Sequence, residues 1–120
     1  MTENGDRLSG AAKRAFIKIS EFWRLSEREE LALLGLSCPS WKLSGDESPL
    51  SNATLTRISH VLAIFKAINV LLPDADRAAA WMRVSNEGAL FRGGTAIEHM
   101  MSGDIADIIA VRQYLESQLV

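Results

Sequence analysis

The chain has 120 residues, a formal net charge of −2 at pH 7, and 48% hydrophobic and 23% charged residues. This composition is typical of a soluble globular protein and excludes an intrinsically disordered chain, which is poorer in apolar residues. Lys66 and Asn69 interrupt the longest apolar run, so we predict no membrane-spanning segment. Residues 1–10 are polar and acidic, unlike a secretory signal, and we therefore expect a cytoplasmic protein.

Apolar residues recur at helical spacing through almost the whole chain, which predicts an all-α fold of six or seven helices. The first helix is predicted over residues 7–23, where an apolar stripe lies opposite a row of charged residues. A short second helix follows, because Ser26 with Glu29 three residues later forms a capping box. Gly35 is suited to end that helix in the left-handed conformation.

The middle of the chain carries two more predicted helices of very different length. Ser37 can cap a very short third helix over residues 38–43, and residues 44–49 have the composition of a loop. A long fourth helix is predicted over residues 52–72. Its apolar stripe is broad for one helix of a small monomer, so part of it could form the interface of a homodimer.

Three further helices are predicted after Pro73, each with its own N-cap. They cover residues 75–83, 96–102 and 105–118, and their caps are Asp74, the capping box of Thr95 with Glu98, and Asp104. Residues 86–94 are expected to be irregular, because Gly88, Gly93 and Gly94 interrupt the helical pattern.

Few residues offer catalytic or metal-binding chemistry. Cys38 is the single cysteine, so no intrachain disulfide can form, and an inert thiol is more plausible than a nucleophile. His60 and His99 lie far apart, without acidic residues at ligand spacing, so we expect no metal site, no cofactor and no enzyme. Gly93–Gly94 before Thr95 resembles an anion-binding corner, which leaves a phosphate-binding ligand carrier as an alternative to a tight turn.

Residues 26–43 have the outline of a helix-turn-helix, although the same outline fits many all-α proteins. The second helix would present four residues to a DNA groove: Ser37, Ser40, Trp41 and Lys42. Packing in the core is the other interpretation of Trp41. Residues 1–72 carry a net charge of +1 and residues 73–120 a net charge of −3, so strong non-specific DNA binding is not expected.

The C-terminal half contains a tryptophan motif followed by a Gly-Gly-Thr corner. The motif consists of Ala80-Trp81-Met82-Arg83, then Ser85-Asn86, then Leu90-Phe91-Arg92-Gly93-Gly94-Thr95-Ala96-Ile97-Glu98. It resembles the toxin-binding domain of Xre/MbcA/ParS-type antitoxins. Residues 23–43 and 55–59 are similar to the helix-turn-helix half of the same antitoxins, so the resemblance covers about residues 15–120.

The resemblance implies a bacterial type II antitoxin rather than an enzyme. Such proteins neutralise a cognate RES-domain toxin, which consumes NAD or transfers ADP-ribose, by binding it and occluding its active site. They commonly dimerise, and many repress their own operon through operator DNA. On this basis residues 1–50 would be the helix-turn-helix region, 51–72 the connecting and dimerisation helix, and 73–120 the toxin-binding domain. A helix-turn-helix transcription regulator without a toxin partner is the alternative.

The resemblance also implies site residues. The candidates for toxin contact are Asn86, Arg92, Gly93, Gly94, Thr95, Arg112 and Tyr114, and the motif residues expected to be structural are Trp81, Phe91 and Ile97. Arg and Tyr on an exposed face are residue types that dominate interface energetics. Packing against the long fourth helix is an equally weighted interpretation of Tyr114.

Overall fold

The computed structural model describes residues 2–43, 49–88 and 90–119. These residues form seven α-helices and no strand, which confirms the predicted all-α fold. The helices are α1 (Thr2–Trp23), α2 (Glu27–Leu34), α3 (Ser40–Leu43), α4 (Asn52–Leu71), α5 (Ala75–Trp81), α6 (Ala96–Met100) and α7 (Ile105–Gln118). The predicted loop at residues 44–49 lies, except for Pro49, outside the described residues.

The predicted capping signals begin and end these helices as expected, except that Ser37 does not cap α3, which begins three residues later at Ser40. Ser26 accepts a hydrogen bond from the backbone of Glu29 at 3.1 Å, and the Glu29 carboxylate accepts one from the Ser26 backbone at 2.9 Å. Asp74 and Asp104 likewise cap α5 and α7 through their carboxylates. Gly35 ends α2 with φ of 72°, a conformation that glycine adopts without a steric penalty.

Some helix boundaries differ from the prediction. The first helix begins at Thr2 rather than at residue 7. The apolar stripe starts only at Leu8, so a prediction from that stripe does not include the first turns of the helix. The third helix begins at Ser40 rather than at residue 38, because Pro39 stands before its first turn.

The fifth helix ends at Trp81 rather than at residue 83, because its last turn tightens. The backbone N–H groups of Met82 and Arg83 donate to carbonyls three residues earlier, at 3.2 Å and 3.0 Å. Bonds of this type are common where an α-helix ends. The fourth and sixth helices end at Leu71 and Met100, somewhat before the expected residues 72 and 102.

The α4 helix is the centre of the fold and packs against α1, α2, α5 and α7. Of the described helices, only α4 is long and apolar enough to cross a membrane by length and composition. By this criterion, the prediction that Lys66 and Asn69 exclude a spanning segment was too strict. The fold accounts for this apolarity. The buried α4 residues, which include Ile58, Val61, Ile64 and Ile68, are covered by the surrounding helices. A core helix of a soluble domain has the same composition.

Arg83 joins the C-terminal half of the chain to the N-terminal half. Its guanidinium donates to the carbonyl oxygens of Trp23 and Arg24 at the end of α1, at 2.9–3.1 Å. It also forms an ion pair of 2.7 Å with the Glu29 carboxylate at the start of α2. The pair lowers the pKa of Glu29 and raises that of Arg83, since each charge stabilises the other.

Arg57 makes a second connection, between α4, the end of α2 and the turn before α7. It donates to the carbonyl oxygen of Gly103 at 2.6 Å and to that of Leu33 at 3.5 Å. The guanidinium lies directly beside Gly35, where an added Cβ would stand 2.7 Å from Arg57 Nε. Glycine is therefore required at this position by space as well as by φ.

Candidate functional site

The loop of residues 86–94 is held closed by its own backbone. The N–H of Asn86 donates to the carbonyl of Gly94 at 3.0 Å, and the N–H of Gly93 donates back to the carbonyl of Asn86 at 2.8 Å. Inside this closure the side chain of Asn86 accepts from the Gly88 backbone at 2.8 Å. These bonds fix the path of the loop and hence the positions of the residues it presents.

The far end of the loop contains two successive residues in the left-handed region. Arg92 has φ of 51° and Gly93 has φ of 86°. A left-handed conformation is ordinary for glycine but strained for arginine, and strained residues concentrate at functional sites. The Arg92 side chain is exposed and has no hydrogen bond or ion pair with the rest of the described chain.

Three aromatic rings connect the loop to α5 and α7. The Trp81 ring is nearly parallel to the Tyr114 ring, with centroids 6.4 Å apart, and Phe91 meets both rings edge-on. Phe91 and the nearby Ile97 are buried, whereas Trp81 and Tyr114 are partly exposed. Tyr114 thus packs within this cluster and also shows part of its ring at the surface.

A cleft of about 400 Å³ opens beside this cluster, between the loop, α6 and α7. Its lining consists of Leu90, Phe91, Arg92, His99, Asp107 and Ala110. The His99 ring packs edge-on against Phe91, and its Nε2 lies 3.5 Å from the Asp107 carboxylate. Leu90, His99, Asp107 and Ala110 were not among the sequence candidates, because no local motif relates residues on three separate elements.

Arg112, a predicted toxin contact, is engaged with its own fold. Its guanidinium donates to His60 Nδ1 at 3.0 Å and to the Glu116 carboxylate at 3.1 Å. Burial and the positive charge of Arg112 lower the pKa of His60, so the imidazole is neutral and accepts the bond. About a third of the Arg112 side chain remains exposed, with a relative exposure of 33%.

The Gly93–Gly94–Thr95 corner is a structural turn. Thr95 accepts a hydrogen bond from the Glu98 backbone at 3.0 Å, and the Glu98 carboxylate accepts from the Thr95 backbone at 2.9 Å. These bonds use donors that a phosphate would need, and α6 has only five residues. A Cβ on Gly94 would lie 3.3 Å from the Phe91 carbonyl, so close packing explains this glycine.

The DNA-contact candidates occupy different environments. Ser37 and Ser40 are exposed around the short α3 helix. Trp41 is buried, with 6% of its surface exposed, and packs edge-on against Phe16 at 5.8 Å. Lys42 forms an ion pair of 3.2 Å with Glu30, whose carboxylate is buried. The placement of Trp41 favours its interpretation as a core residue.

In the part of the chain that the structure describes, no group of three or more His, Cys, Asp or Glu side chains could hold a metal ion. Cys38 is exposed beside Ser40. His60 and His99 lie on different helices and contact different partners, Arg112 and Asp107 respectively.

Two comparisons with known proteins bear on this region. Residues 66–118 match the model of the antitoxin Xre/MbcA/ParS C-terminal toxin-binding domain, a range that begins inside α4 and includes the loop, the aromatic cluster and the cleft. The chain is also 38% identical over 112 residues to the uncharacterized protein y4oB of Sinorhizobium fredii, covering 90% of this chain and 84% of the relative. No solved structure matches the chain. The chain therefore belongs to one family with y4oB, and its residues 66–118 are similar to the C-terminal toxin-binding domain of Xre/MbcA/ParS antitoxins.

Proposed function

We propose that this protein is an antitoxin, which neutralises a cognate toxin by covering the toxin's active site, without any catalysis of its own. The family match of residues 66–118 is the observation that supports this proposal. The sequence resemblance supports a RES-domain toxin, which acts on NAD or on ADP-ribose acceptors, as the partner of a type II system. Because such a toxin acts inside the cell, we place the antitoxin in the cytoplasm.

The proposed contact surface consists of the loop at 86–94 and the adjoining face of α7. Backbone hydrogen bonds close the loop, which favours a fixed conformation, and the loop presents an Arg92 side chain without a partner among the described residues. A rigid surface loses little conformational entropy when it binds. In this proposal Tyr114 contributes its exposed part beside the loop, whereas Arg112, two residues away on α7, points to His60 of α4 and lies on a neighbouring face.

A titration of purified toxin with the full chain tests occlusion. The toxin's consumption of NAD should fall in proportion to added antitoxin and stop at a fixed stoichiometry. Removing α7 is not a suitable variant, because Ile108, Val111 and Leu115 of this helix are buried in the core. Undiminished NAD consumption with excess folded antitoxin would contradict occlusion.

We also propose that the N-terminal region, residues 1–50, contributes to repression of the operon. Ser37 and Ser40 are exposed next to a well-capped helix, which supports a contact with operator DNA. Lys42 would first have to leave Glu30, so we expect weak binding that improves in a dimer or in the toxin complex. Fluorescence anisotropy with promoter DNA at low salt tests this, and no binding by the chain or its toxin complex would exclude repression. Specific promoter binding without any toxin partner would instead favour a plain transcription regulator.

Dimerisation through residues 51–72 is the third part of the proposal. Leu62 and Val70 lie on the outer face of α4 and are 37% and 59% exposed, and Phe22 of α1 is 48% exposed. Exposed apolar side chains of this size favour association. Light scattering should show a dimer that Leu62→Lys with Val70→Lys dissociates, and a monomeric wild-type chain would exclude this interface.

A further inference from the structure

The cleft beside the 86–94 loop is lined by an apolar wall and by polar and charged side chains. Leu90, Phe91 and Ala110 supply the apolar wall, while Arg92, His99 and Asp107 supply the polar groups. The volume of about 400 Å³ is sufficient for one or two side chains of a partner protein. The cleft therefore has the size and the mixed character of a pocket that receives an anchor residue at an interface.

Two carboxylates near the cleft, those of Asp107 and Glu98, face groups of their own fold, whereas the Arg92 side chain has no such partner among the described residues. Asp107 lies 3.5 Å from His99 Nε2, and Glu98 accepts from the backbone of Thr95 in the capping box. The side chain of Arg92 forms no hydrogen bond or ion pair with any residue that the structure describes. The Arg92 guanidinium at the mouth of the cleft can therefore pair with a carboxylate of another protein, since a guanidinium binds a carboxylate through paired N–H groups.

The backbone of Arg92 gives a second, independent indication. The residue is held at φ of 51° between a closed loop and Gly93, at a cost that a glycine would avoid. The N–H of Arg92 donates to the carbonyl of Gly88 at 3.0 Å, which fixes where the side chain leaves the loop. An arginine in a strained but fixed position is a preorganised anchor.

We propose that this cleft receives an acidic side chain of the toxin, whose carboxylate pairs with Arg92 and whose neighbouring apolar residue packs on Leu90, Phe91 and Ala110. The inference rests on the proposed function, because the toxin is the partner to which it assigns the contact. A lysine or arginine of the toxin is the wrong partner, since it would approach the unpaired charge of Arg92.

The test uses the full chain and the purified toxin, with affinity measured by calorimetry. Arg92→Gln should weaken binding by about tenfold and Arg92→Glu by about a hundredfold, and the salt dependence of binding should decrease with both. Arg77→Gln and Arg77→Glu are matched controls, because Arg77 is exposed on α5 and lies outside the cleft. These control variants should bind within about twofold of the wild type.

Two additional variants separate recognition from structure. Arg92→Gly relieves the left-handed strain, so its melting temperature should stay within a few degrees of the wild type or rise, while binding weakens. Ala110→Phe fills the cleft from α7 and should weaken binding without changing any charge. A toxin variant with one acidic residue changed to lysine should restore binding to Arg92→Glu.

The outcomes distinguish this inference from the proposed function. If the wild type binds the toxin and the Arg92 variants bind equally well, the anchor is wrong although the antitoxin function stands. If Arg92→Gly lowers the melting temperature strongly and loses binding in parallel, Arg92 is structural and the inference is also overturned. If the wild-type chain binds no toxin, the proposed function itself fails.

Discussion

Replacing Arg83 by alanine should destabilise the whole chain, because this side chain connects the two halves of the fold. The substitution removes hydrogen bonds to the carbonyls of Trp23 and Arg24 and the ion pair with Glu29. It leaves the C-terminal end of α1 without its cationic partner, where a positive charge is favourable. The aromatic cluster and the loop are not touched by the substitution.

The contacts allow the size of the effect to be worked out. The three hydrogen bonds to two carbonyl oxygens contribute about 1 kcal/mol for each carbonyl, a typical net value for a protein hydrogen bond. The ion pair adds less than a buried pair, because its side chains are 39% and 18% exposed and solvent screens them. We expect a total loss of about 2–3 kcal/mol, and for a domain of this size a decrease of about 10 °C in melting temperature.

Urea unfolding followed by circular dichroism measures this free energy directly. Arg77→Ala is the matched control, because it removes an exposed arginine side chain from α5 that makes no ion pair or hydrogen bond with the described residues, and its effect should stay below about 0.5 kcal/mol. Arg83→Ala combined with Glu29→Gln should be less destabilising than the two single changes added together. A free energy of unfolding for Arg83→Ala equal to that of Arg77→Ala would refute the connecting role.

Three further predictions concern pH and backbone conformation. Arg83 lowers the pKa of Glu29 in the folded state, so the unfolded chain binds more protons near pH 4. The stabilisation from this pair should be present above the ordinary pKa of glutamate and be lost as the pH falls through the lower folded value. The difference between the thermal melts of wild type and Arg83→Ala should therefore become smaller there, while the part due to the carbonyl bonds remains. The pKa of His60 is also lowered, by burial and by Arg112, so NMR titration should give a midpoint below the ordinary value of 6.5. Stability should then fall as the pH decreases through the ordinary value of 6.5 towards the lower folded pKa, a dependence that His60→Gln should reduce and that an unshifted midpoint would contradict. Gly35→Ala should cost about 1–2 kcal/mol, because alanine disfavours the left-handed conformation and its Cβ would displace Arg57. Unchanged urea unfolding of Gly35→Ala would show that the end of α2 tolerates a side chain.

The sequence was sufficient to predict the helices, because their end signals are local. The capping boxes at Ser26 and Thr95 and the left-handed Gly35 act within a few residues of the helix ends they define. The helix ends that differ from the prediction are those that depend on backbone geometry or on a neighbouring residue. The tightened turn after Trp81 is an example. Such effects have no separate signal in residue type.

The candidate site was predictable only in part. The motif identified the loop and Arg92, but it did not predict that His99 and Asp107 would lie in the same cleft, because the fold brings these residues together from α6 and α7. The sequence also did not predict the ion pair of Lys42, because its partner Glu30 is twelve residues away on another helix. Contacts of this kind depend on how helices pack, which periodicity alone does not determine.

The most direct test of the antitoxin function is growth rescue. The product of the adjacent gene is expressed alone and together with the full chain, and any complex is purified. We expect growth arrest by the adjacent product, relief on co-expression, and a complex of fixed stoichiometry. Arrest that persists although both proteins are folded and abundant, with no complex between them, would contradict the account.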